Sequence, residues 1–108
     1  MKKGELWLVE IPPSNGHEQT GLRPVLVLSN VEANVVIIIP FTSNLSALRF
    51  PHTVEIHPSP KNGLNSTSVA LVFQIRAIDR KRLQRKIGEL EAEMLKQIDN
   101  MIRNILSV

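Results

Sequence analysis

The sequence predicts an α+β domain: a small barrel of short strands closed by one C-terminal α-helix. Several short runs of aliphatic and β-branched residues, separated by turn-forming residues, lie between Leu6 and Ile78. Only near the end does the apolar period change to three and four, and nowhere do strand-like and helix-like segments alternate as a doubly wound sheet requires.

The elements follow in order. Leu6-Trp7-Leu8-Val9 reads as a strand that stops at Pro12-Pro13. Ser14 to Gly21, with Asn15 and Gly16 inside it, favours turns and reads as an exposed loop. Pro24 opens the run Val25-Leu26-Val27-Leu28, which suits a buried strand ended by Ser29-Asn30. A third strand, Val35 to Ile39, runs into Pro40, so that Thr42, Ser43 and Asn44 lie just beyond a rigid strand end, a common mounting place for site residues. Thr53-Val54-Glu55-Ile56 alternates like a half-buried strand, and Pro58, Pro60 and Asn62-Gly63 supply the next turn. Ser68 to Phe73 is another apolar strand, and Gln74-Ile75-Arg76-Ala77-Ile78 continues it with polar side chains on one face. Leu90, Met94, Ile98, Met101, Ile102 and Ile105 form the apolar stripe of a helix over 91–106, a stripe for core or dimer packing rather than for a cofactor.

A chain of 108 residues fits one domain over 1–108. So short a chain buries a modest share of its surface, which makes a homodimer a natural way to cover more apolar area. The absence of cysteine rules out disulfides and thiolate metal sites and fits a reducing cytoplasm. No apolar stretch of signal length follows the basic start, and Val35 to Phe41 is too short to span a membrane, so the expectation is a soluble cytoplasmic protein. A net charge of +3 and a pI near 9.7 favour a polyanionic partner, although an ordinary solvated basic surface has the same composition.

There is no phosphate-cradling Gly-rich loop, no His-Glu-x-x-His helix and no Gly-x-Ser-x-Gly elbow. His17, His52 and His57 are not at metal-ligand spacing, so neither a metal nor another cofactor is expected. Polar residues instead gather at strand ends: Arg23 before the second strand, Thr42-Ser43 after the third, Gln74 and Arg76 after the fifth. An arginine suits a phosphate because its planar fork donates parallel hydrogen bonds and stays charged. Each residue also has an ordinary reading. Arg23 can pair with Glu18 or Glu5 at the surface, Thr42 and Ser43 can shape a turn, Gln74 and Arg76 can face solvent, and His17 can be a plain loop histidine. On residue chemistry alone the chain is a basic small barrel with an anion pocket in view.

These same residues carry a family resemblance. Gly21-Leu22-Arg23-Pro24 with the strand to Ser29 resembles the Gly-x-Arg-Pro opening of the MazF/PemK toxins. Gly4 to Val9 is similar to their first strand, Pro40-Phe41-Thr42-Ser43 to their third-strand exit, Gln74 to Asp79 with Arg82-Leu83 to their late strand and turn, and Ile87-Gly88-Glu89-Leu90 to the lead into their last helix. The resemblance implies an SH3-like barrel of the CcdB/MazF/PemK kind, usually dimeric. The implied activity is sequence-specific, metal-independent endoribonuclease cleavage of single-stranded RNA, with an antitoxin as partner. Arg23 and Thr42 match the family's catalytic Arg and Thr, and Glu18-Gln19 match its RNA-contacting loop pair. Ser43, Gln74 and Arg76 are further candidates for RNA contact, and His17 or Glu18 for proton transfer. Phe73 departs from the acid that some members carry there.

Two other functions stay open at this point. A CcdB-type gyrase inhibitor shares the fold but carries a tryptophan near its C-terminus, whereas Trp7 is the only tryptophan of this chain. A non-catalytic RNA-binding barrel would keep Arg23 and Thr42 without proton transfer.

Overall fold

The computed structural model describes residues 2–11, 21–31 and 33–108. The strands are β1 (Glu5–Ile11), β2 (Gly21–Val31), β3 (Val35–Thr42), β4 (Thr53–Ile56), β5 (Ser68–Leu71), β6 (Arg76–Asp79) and β7 (Leu83–Glu89), followed by the helix α1 (Ala92–Leu106). All pair antiparallel, in the order β4-β5-β3-β2-β1-β7, with β6 also on β3. β3 is the hub because its first half pairs with β6 and its last two residues with β5. No hydrogen-bonded pairing joins β7 to β4 among the described residues, so the barrel is an open, curved sheet.

Strict alternation along the central strands divides the interior in two. Leu6, Leu26, Ile39 and Phe41 point to one face, where Met94, Leu95, Ile98, Met101 and Ile102 of α1 cover them. Val9, Val25, Val27, Val36 and Ile38 point to the other, packed by Trp7, Ile78 and Leu83. The helix stripe is therefore core packing, with Ile98 fully buried.

Several expectations change: β2 runs through Ser29-Asn30 to Val31, and Thr42 ends β3 instead of lying beyond it. Ser68 to Ile78 is not a single strand: β5 ends at Leu71, and Val72–Gln74 form a 3-10 turn before β6. The break arises because Val72 turns inward to full burial while its N–H donates to the His52 carbonyl, and the Ile75 N–H then closes the turn on Val72. Gln74 thus sits in a turn, not on a strand face. The strand β7 lies in a basic run without an apolar period, which the sequence does not mark as a strand.

The segment between β4 and β5 is fixed by a buried amide. Asn62 accepts from the Ser59 and Leu64 N–H groups, both at 3.0 Å, and donates to the His57 carbonyl at 2.9 Å and to Glu91 Oε1 at 3.1 Å. The Ser59 hydroxyl donates to the other oxygen of Glu91. That hydroxyl is the main cause holding the Glu91 carboxyl below its usual range; burial opposes it, and Asn62 and Lys61 assist. A depressed folded-state pKa contributes stability above the unfolded value of 4.5, lost as pH falls through the folded value. The Glu5 carboxyl behaves likewise: burial would raise it, but hydrogen bonds from Trp7, Lys2 and Lys86 prevail. Glu91→Gln should therefore lower the melting temperature at pH 7 and flatten, without abolishing, the acid limb below about pH 4.5, as thermal melts across pH will read; an unchanged acid limb would disprove the carboxylate's part.

Candidate active site

The β2–β3 pairing runs as far as Val25 opposite Pro40, and Arg23 and Thr42 stand two residues beyond that pair on their strands. There the half-buried Arg23 donates from Nη1 to Thr42 Oγ1 at 3.4 Å, a long contact for this type of bond. The Asn44 N–H donates to the same oxygen at 3.1 Å. Asn44 in turn accepts from Ser46 and caps the 3-10 turn Leu45–Arg49. With two donors on its oxygen, the Thr42 hydroxyl is oriented with its own proton left to give, and among the described residues it has no acceptor. A guanidinium and a hydroxyl donor side by side suit an anionic oxygen on phosphorus.

Alternation places Leu22, Pro24, Phe41 and Ser43 on the opposite face, where they wall a cavity of about 280 Å³ that Arg23 also borders. The loop Gly63–Ser68 and Arg85 with Ile87 of β7 complete it. The floor is apolar, through Leu8, Phe41 and Leu64, and the rim carries Ser43, Asn65, Ser66 and Arg85; no carboxylate lines it among the described residues.

The structure thus brings Arg23, Thr42 and Ser43 together. Gln74 and Arg76 are exposed and do not line the cavity; Arg76 lies opposite Ile38, four residues before Thr42 on β3. His17, Glu18 and Gln19 lie outside the described residues. Glu5 accepts from Trp7 Nε1 at 2.9 Å and meets Lys86 Nζ at 3.3 Å. Phe73 is a surface aromatic, its ring 5.9 Å from that of Phe50, over which Arg49 stacks at 5.0 Å. Arg85 lines the cavity, and a sequence reading passes over it because it stands in the basic run Arg80 to Lys86, which looks like a solvated charge cluster. Pairing predicted for this run with Leu6-Trp7-Leu8-Val9 is the signal that finds it.

An antiparallel sheet with one closing helix and an Arg–Thr pair at adjoining strand ends defines a small β domain suited to binding phosphate. Residues 2–106 match the family model described as the PemK-like, MazF-like toxin of type II toxin–antitoxin systems, and the chain belongs to that family. An endoribonuclease MazF from Staphylococcus saprophyticus is 35% identical over 106 residues, which cover 94% of this chain and 88% of that protein. The crystal structure of MazF from Deinococcus radiodurans superposes with a TM-score of 0.77 at 29% identity, covering 100% of this chain and 97% of that one. MazF in a MazE–MazF structure from the same organism gives 0.77 at 28% identity, covering 100% and 96%. No helix among the described residues is long and apolar enough to cross a membrane.

Proposed function

We propose that this chain is the toxin of a type II toxin–antitoxin pair and cleaves single-stranded RNA without a metal ion. The observation that carries this is the Arg23–Thr42 side-chain contact, at the positions that the family's motif assigns to catalysis. The ribose 2′-oxygen attacks the adjacent phosphorus, the P–O5′ bond breaks, and the products are a 2′,3′-cyclic phosphate and a 5′-hydroxyl. Arg23 offsets the extra charge on the five-coordinate phosphorus, and Thr42 donates to a non-bridging oxygen. A base takes the 2′ proton and an acid supplies one to the leaving oxygen, roles for which His17 and Glu18 are the candidates. Glu18, Gln19, Ser43, Gln74 and Arg76 contact the flanking RNA. The protein works in the cytoplasm as a homodimer, one domain per chain, neutralised by a cognate antitoxin; the exposed Phe50 and Phe73 support a covered surface in that assembly.

The test is incubation with end-labelled single-stranded RNA and its DNA counterpart in EDTA. RNA alone should be cut, because DNA lacks the attacking hydroxyl, leaving a cyclic phosphate, and the active species should sediment at twice the 12.1 kDa chain mass. Intact RNA across varied sequences, or cutting that EDTA stops, would overturn the reading.

A further inference from the structure

We infer that Arg85 grips the phosphodiester next to the one being cleaved, so that the neighbouring nucleotide lies in the cavity behind the Arg23–Thr42 pair; this rests on the ribonuclease reading above.

The first observation is directional. In the β1–β7 pairing, Val9 lies opposite Leu83 and Leu8 opposite Arg85, with Gln84 bulged out between them. Plain alternation along β7 would send Arg85 to the same face as Leu83, against the core of Val9 and Val25. The bulge reverses that and turns Arg85 to the face of Leu8, on the cavity. Bulges next to active sites commonly re-aim one side chain in this way.

Charge is the second observation. The adjacent Lys86, on the other face, is held by Glu5 at 3.3 Å and Glu89 at 3.7 Å. Arg85 is exposed and, among the described residues, forms no ion pair. A guanidinium held at a rim beside Asn65 and Ser66, with no carboxylate lining the cavity, offers several donors converging on an anion with multiple acceptor oxygens.

Size and position are the third. At about 280 Å³ the cavity has room for about one nucleotide, since small-ligand pockets start near 300 Å³. Its apolar floor suits a base or ribose face. Arg23 touches Thr42 and also borders the cavity, so a strand whose scissile phosphate meets the Arg23–Thr42 pair has the cavity beside it. A phosphodiester in the same chain is thereby favoured over a carboxylate from a separate protein.

The experiment compares wild type, Arg85→Ala and Arg85→Lys on one cleavable RNA and on a 2′-fluoro analogue that binds but is not cut. Arg85→Ala should raise KM and weaken analogue binding about ten- to a hundredfold, the worth of one charge-assisted hydrogen bond. kcat should hardly move, because such a grip is made equally in the ground and transition states. The salt dependence of binding should fall by about 0.7 in log–log slope, one phosphate for single-stranded nucleic acid. Arg85→Lys should restore the salt slope but only part of the affinity, and all melting temperatures should agree. Unchanged analogue affinity and slope would overturn the inference, as would a loss confined to kcat. Normal RNA parameters with weakened binding of an acidic antitoxin peptide would overturn it in favour of a protein partner. If the wild type cuts no RNA, the ribonuclease reading falls by itself, and the analogue affinities still decide whether Arg85 holds a phosphate.

Discussion

Arg23→Ala is expected to slow RNA cleavage by about 10²–10³ at unchanged fold, the usual cost of removing one donor from a developing oxyanion. Arg23→Lys should recover only part of this, since an ammonium keeps the charge but not the fork that reaches both the Thr42 oxygen and a phosphate oxygen. Thr42→Val should lose a comparable factor. The double variant should fall little further, because two groups serving one charge act as a unit. Single-turnover cleavage of an end-labelled RNA, with circular dichroism to confirm folding, reads all of these. Wild-type rates from Arg23→Ala would remove the catalytic assignment.

The second large effect is structural. Gly88→Ala places a Cβ 2.4 Å from the Lys61 carbonyl oxygen and 2.5 Å from the Asn62 carbonyl, all of it backbone. That backbone has no room to yield: the Glu89 N–H bonds the Lys61 oxygen at 2.9 Å, and Asn62 is tied from several sides. A loss of roughly 2–4 kcal/mol follows, in the range of severe single substitutions, which for a chain of this size lowers the melting temperature by about 10 °C or more. Gly4→Ala differs in kind: its Cβ meets only the flexible end of Leu95 at 3.3 Å, so any loss there comes from the φ of +97°, which an L residue adopts only with strain. Equal melting temperatures for Gly88→Ala and wild type would show that the loop does not pack on β7 as described.

What the sequence made legible was the local part of the structure. The central strands are runs such as Val35 to Ile39 whose burial on both faces needs apolar residues at every position, and α1 repeats Met94, Ile98, Met101 and Ile105 at helical spacing. The nearness of Arg23 and Thr42 was legible because both stand in short polar motifs beside a proline at strand ends. What stayed hidden depends on the third dimension. The turn at Val72 is decided by a hydrogen bond to His52, twenty residues away. Nothing in Leu83 to Glu89 marks it as a strand, because its partner β1 lies at the other end of the chain and a bulge interrupts its period. Arg85 was missed for that reason, and the cavity with it.

The sheet's lack of closure also bears on how the protein resists open-ended strand addition. An open sheet presents unpaired backbone donors and acceptors at its margins, where other chains can add strands. At one margin, β4 is only four residues long and stands between Pro51 and Pro58, so little backbone is on offer. At the other, β7 is broken by bulges and crowded with Arg85, Lys86 and Glu89, which cannot lie against an identical strand without burying or opposing charge. These two margins are thus poor templates for aggregation, and the residues that blunt the second include the one turned toward the cavity.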